Sequence, residues 1–281
     1  MSALMTAERA GTMTGSRAGG LGMIDALHAE WTKLRTVSGP AWLLLGIVAL
    51  TVAVSAAAVE ATSCPASMQC AVDPAKLSLA GVQFGQAVVA ILAVLTLCNE
   101  YSTGMIKVTL TAMPRRLEMY AAKAFITAGV VLLAGAVAVL GSVLAGYLIL
   151  PGHGFTSARG FHPVSLSYGP VLRAAGGSVL YLALIALLSL GIAAIVRDSA
   201  VSIGAALAVL YLFPIVLAFV TDPTWQHRFS RWTPTSAGLA IQATTGVQNL
   251  PISPWDGLGV LAIWAGAALL GGGLALRFRD A

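Results

Sequence analysis

The side chains able to do chemistry in this 281-residue chain are few, and they sit between long apolar runs. The densest group is "NEYSTGMIKVTLTAMPRR", residues 99–116. Glu100 and Tyr101 open it, Gly104 permits a turn, Lys107 lies within "MIKVTLTA", and Pro114, Arg115 and Arg116 close it. A short helix with a carboxylate at one end and two guanidinium groups at the other makes a docking surface for another protein. The same composition also suits a loop whose cations only fix membrane topology, and the residues alone leave both readings open. Gln83 and Gln86, three apart on one helical face, either border a path or hydrogen-bond to a neighbouring helix. Cys64 and Cys70 are spaced for a bridge in an oxidising compartment or for two reduced thiols, and Cys98 is expected to be a buried small residue. His153, His162 and His227 are scattered in loops, without the spacing of a metal site.

Catalytic signatures are missing from the sequence. It has no HExxH, no GxSxG, no CxxC pair and no GxxxxGK[ST] phosphate loop. The expectation is a protein that is not an enzyme and needs no cofactor or metal; any ATP hydrolysis must belong to a partner. An ion-coupled carrier is disfavoured because the apolar runs hold essentially no ionisable residues.

The elements that must position these residues follow from composition. The chain is 58% hydrophobic and 10% charged, with mean hydropathy +0.86. A soluble domain carries roughly 25% charged residues, so most of this surface must face lipid. Six charge-free runs, 40–59, 77–98, 124–150, 174–196, 199–220 and 257–276, are long enough to cross a bilayer as helices. The expected fold is all-α and integral to the membrane, with six transmembrane helices. Eleven Lys and Arg fall on the side of the termini and of the 99–116 loop, against five opposite, which puts both termini in the cytoplasm. The excess charge of +5 then reflects loops near anionic lipid, and no nucleic-acid partner is implied.

Residues 1–20 read as a flexible cytoplasmic tail, and 21–281 as one six-helix domain. Before the first run, Ile24, Leu27, Trp31 and Leu34 recur at helical spacing while Asp25, Glu30, Lys33 and Arg35 take the other side. That pattern predicts an amphipathic helix in the headgroup plane, ended by Ser38, Gly39 and Pro40. Arg197-Asp198 alone joins the fourth and fifth runs, so they form a hairpin. In the long loop 221–256, Trp225, Phe229 and Trp232 at i, i+4 and i+7 predict an amphipathic helix or re-entrant pair at the outer interface. Pairs such as Ala134/Ala138 and Ala262/Gly266 permit close helix approach but assign no oligomer interface in so Ala- and Gly-rich a chain.

Three segments carry a family resemblance. "EYSTGMIKVTLTAMPRR" resembles the E-[YF]-x-x-G-[TM]-[IL]-[RK]-x-x-L-x-x-x-P-R-R pattern of permease subunits of ABC-2-type ABC transporters, with Met105 where Thr is common. "AEWTKLRTV" at 29–37 resembles the family's connecting helix, and the "LRFRDA" end resembles the tail of actinobacterial members. The resemblance runs from about residue 21 to the C-terminus. It implies an exporter permease in a prokaryotic plasma membrane, paired as a homo- or heterodimer and bound to a separate cytoplasmic ATPase. Glu100, Tyr101, Gly104, Lys107, Pro114, Arg115 and Arg116 would couple to that ATPase, together with the connecting helix bearing Glu30, Trp31, Lys33 and Arg35. Gln83 and Gln86 would have a place beside the path, and 221–256 would form the external re-entrant helices. A membrane scaffold or immunity protein of the same fold is the alternative.

Overall fold

The computed structural model describes residues 38–65, 70, 72–102, 116–219 and 222–278. Helix α1 spans Ser38–Glu60 and includes Pro40 near the start of its described part. The short α2, Pro74–Ser78, leads through a turn into α3, Val82–Ser102. Helix α4 covers Arg116–Ile149 and α5 covers Gly169–Val196. The next membrane segment is segmented into α6 (Ser199–Leu207), a π-type turn (Ala208–Leu212) and α7 (Phe213–Ala218). Helices α8 (Pro223–Trp232) and α9 (Pro234–Gly238) precede the final α10, Pro254–Phe278.

Six of these stretches are long and apolar enough to span a bilayer: Gly39–Glu60, Pro74–Asn99, Leu117–His153, Gly169–Val196, Ser199–Val216 and Pro254–Phe278. Among the described residues there is no strand, so the chain is an all-α, multi-pass membrane protein. Helices α3 and α5 form the centre, most of each being buried, and α5 packs on α10, α3 and α4 while α1 closes against α4 and α3. The outward faces of α1, α4 and α10 present Trp42, Leu45, Phe125, Leu133, Ile263 and Leu270 to the surroundings, as lipid-facing helices must.

Two of the expected spans are interrupted, each for a local reason. The second breaks after Ser78 because Gly81 lies directly on α1: a Cβ there would overlap the Thr51 carbonyl oxygen, and the Gly81 amide donates to Ser55 Oγ at 3.0 Å. The fifth, read from sequence as one helix over 199–220, yields at Pro214, which has no N–H to offer Leu210 and crowds its carbonyl. The freed Leu210 carbonyl accepts instead from Thr235 Oγ1 at 2.9 Å.

The expected hairpin at Arg197-Asp198 is present. Arg197 takes a left-handed conformation (φ 65°) and its guanidinium donates to the Ala275 carbonyl at 2.8 Å, tying the turn to the end of α10. Asp198 caps α6 by accepting from the Val201 amide at 2.8 Å. At the opposite face Cys64 and Cys70 are bridged, with Cα atoms 6.0 Å apart. The Cys64 amide donates to the His153 carbonyl at 2.9 Å, and the His153 ring stands between Glu60 Oε2 (2.9 Å) and the Ile149 carbonyl (3.2 Å). The ends of α1 and α4 are thereby joined. His162 stacks on Tyr168 with ring centroids 4.7 Å apart.

Candidate functional site

Polar groups inside the bundle gather in a seam along its external half. Gln86 is fully buried in α3, where Tyr181 of α5 donates to its Oε1. Tyr211, in the π-type turn, donates to the Gln83 carbonyl at 2.6 Å. Gln242 is buried in the turn Leu239–Gln242 and donates to Ser178 Oγ at 3.1 Å. The two amides that sequence spacing puts on one face therefore part: Gln83 reaches the surface, while Gln86 serves a helix–helix hydrogen bond. Helix α8 keeps Trp225, Phe229 and Trp232 exposed, Trp225 stacking on Phe229, and Trp264 Nε1 holds its end by donating to the Trp232 carbonyl at 2.9 Å. Beyond it the chain turns inward, so that Ile241 is fully buried against α5.

Asp73 organises the mouth of this seam. As the N-cap of α2 its Oδ1 accepts from the Ala75 and Lys76 amides at 3.1 and 3.2 Å and from the Thr244 hydroxyl at 2.6 Å. Oδ2 accepts from the Thr244 and Thr245 amides at 2.6 and 3.0 Å. Burial pushes the carboxyl pKa up, but the Thr244 hydroxyl and the surrounding amides outweigh it and hold Asp73 below the usual carboxylate value. Arg173, inside α5, donates to the neighbouring Ala243 carbonyl at 2.5 Å. Two cavities of about 670 Å³ flank Asp73 and Lys76. One is walled by Gln83, Ser236, Leu239, Leu250 and Ile252, the other by His162, Tyr168, Thr244 and Asn249.

The cytoplasmic end corrects one expectation. Lys123, just outside the expected third run (124–150) and so one of the eleven cations counted in loops and termini, lies inside α4 and is 2% exposed. The segment "RLEMYAAKA" is made of good helix formers and is helical from Arg116 on among the described residues, and the Lys123 ammonium donates to the Thr96 carbonyl of α3 at 3.4 Å. The spans are thus not empty of ionisable groups, and the two helices that bracket 103–115 are tied at their base. Close by, Cys98 is buried with its Sγ 3.9 Å from Ser202 Oγ. Glu100 and Tyr101 lie in the last turn of α3, and Arg116 opens α4. Gly104, Lys107, Pro114 and Arg115, the amphipathic segment with Glu30, Trp31, Lys33 and Arg35, and the tail 1–20 lie outside the described residues.

Sequence reasoning missed Asp73, Tyr181, Tyr211, Thr235 and Gln242. "DP" before "AKLS" is a readable N-cap signal and Pro214 a readable break, but their partners lie far away in sequence. No protein-family model matches the chain, and no curated protein matches it by sequence. Fold and site together define a six-helix, multi-pass membrane protein with a polar seam inside the bundle, built mainly of amides and hydroxyls. Such a bundle belongs in a bilayer, and the charge bias of its loops suits the plasma membrane.

Proposed function

We propose that the chain is the permease subunit of an ATP-driven ABC-2-type exporter, forming a path as a dimer and coupled to a separate cytoplasmic ATPase. The observation that carries this reading is the segment 99–116, whose motif resembles the family's coupling helix and whose flanking helices are tied together by Lys123 and Thr96. A push on a loop with such a base moves α3 and α4 together, and α3 carries the Gln86–Tyr181 bond to the central helix α5. The chain has no phosphate loop, so ATP hydrolysis falls to the partner.

The test is affinity purification of the chain from its own host membranes. A P-loop ATPase co-purifies in stoichiometric amount, and Arg115→Glu or Arg116→Glu lowers its recovery at least tenfold while the permease still inserts. Full ATPase recovery with both variants, or none with the wild type, rejects the reading. Buried Lys123 favours a second reading, an ion-coupled carrier. That reading requires transport in ATP-free liposomes under an imposed proton or sodium gradient.

A further inference from the structure

The cavity between the α2–α3 junction, the end of α8, α9 and residues 250–252 has the build of a ligand site. Its volume, about 670 Å³, falls within the range of roughly 300–1,000 Å³ typical of small-molecule sites. Its walls are mainly apolar: Leu77, Ala80, Leu239, Leu250, Pro251 and Ile252. The two charged residues in the lining are Asp73 and Lys76, and they are not equivalent. Asp73 is saturated by five donors, which leaves its oxygens little capacity for anything else. Lys76 is exposed, and its ammonium makes no ion pair or hydrogen bond with any other described residue.

The cavity thus offers one available cation at the rim of a greasy trough, with the exposed Gln83 in the same lining. Helix α8, which supplies Ser230 to the wall, exposes Trp225, Phe229 and Trp232, the signature of a helix lying at a membrane–water interface. From this juxtaposition we propose that the cavity binds one anionic phospholipid of the outer leaflet, its headgroup against Lys76 and an acyl chain along Leu77, Leu239, Leu250 and Ile252. A zwitterionic lipid would bring a second cation to a rim that already has one. A fully polar anion would leave the apolar walls unfilled. The site stands whether or not the chain exports anything.

Native mass spectrometry of the purified full chain, given equimolar phosphatidylglycerol and phosphatidylcholine, tests it. Wild type retains one phosphatidylglycerol in preference to phosphatidylcholine. Lys76→Gln lowers that preference about fivefold, the effect of one cation beside an anionic lipid. Leu239→Trp, which fills the trough, lowers retention of both lipids, while Arg228→Gln on the outer face of α8 changes neither. Equal retention of the two lipids by wild type overturns the proposal. So does a preference that survives Lys76→Gln, or one that falls equally with Arg228→Gln, since that outcome describes general surface charge.

Discussion

Replacing Asp73 separates a tertiary latch from a local helix cap. Asp73→Ala removes an N-cap worth about 1 kcal/mol and three charge-assisted bonds to Thr244 and Thr245. In a half-exposed site these are worth about 1 kcal/mol each, and such bonds do not add fully, so the expected loss is ~3 kcal/mol. Asp73→Asn is informative because its amide retains one acceptor for the α2 cap but turns N–H donors toward the Thr244 and Thr245 amides. Its expected loss is ~2 kcal/mol, against ~1 kcal/mol for Thr244→Val. Reversible SDS-induced unfolding in mixed micelles, followed by far-UV circular dichroism, reads these differences.

The same carboxylate sets a pH dependence. Its folded pKa is depressed, so its contribution is complete above the unfolded value of about 4 and is lost as pH falls through the lower folded value. Wild-type stability therefore declines on acidification by an increment that Asp73→Asn does not show. An Asp73→Ala variant within ~0.5 kcal/mol of wild type, or acid profiles of identical shape for wild type and Asp73→Asn, would refute this account of the external latch.

Other perturbations probe the remaining joints. Tyr181→Phe strands the fully buried Gln86 Oε1 and is expected to cost ~1–2 kcal/mol in the same unfolding assay, with Gln86→Met in the Tyr181→Phe background restoring part of it. Gly81→Ala drives a methyl group into the α1 backbone at Thr51 and is expected to cost ~3 kcal/mol or to prevent insertion, read by fluorescence-detection size exclusion; unchanged elution and stability would contradict the close approach. The Cys64–Cys70 bridge closes a short loop, so Cys64→Ser with Cys70→Ser should cost only ~2 kcal/mol and leave the bundle folded, while intact protein resists maleimide labelling until reduced.

The legible part of this protein is the part governed by solvent. A bilayer leaves no alternative partners for backbone groups, so an apolar run of about twenty residues becomes a helix whatever its neighbours do. The six spans, the hairpin turn at Arg197-Asp198 and the amphipathic helix with Trp225 and Trp232 were therefore readable from residue type and spacing. Span ends were less so. Charge marked Lys123 as a loop residue, yet the helix-forming run from Arg116 and an acceptor on α3 allow it to be buried.

Which polar residues meet was decided by tertiary structure alone. Asp73 and Thr244 are 171 positions apart, and Gln86 and Tyr181 are 95 apart. Within a single span a buried glutamine and a surface one look the same. The difference lies in which face of α3 the central helix covers: Gln86 meets Tyr181 of α5, while Gln83 stays at the surface. Sequence determined that the chain crosses the membrane six times, because hydrophobicity acts locally on each segment. Packing decided that Asp73 is a latch and Lys76 an available cation, because hydrogen-bond partners are assigned only once the helices are side by side.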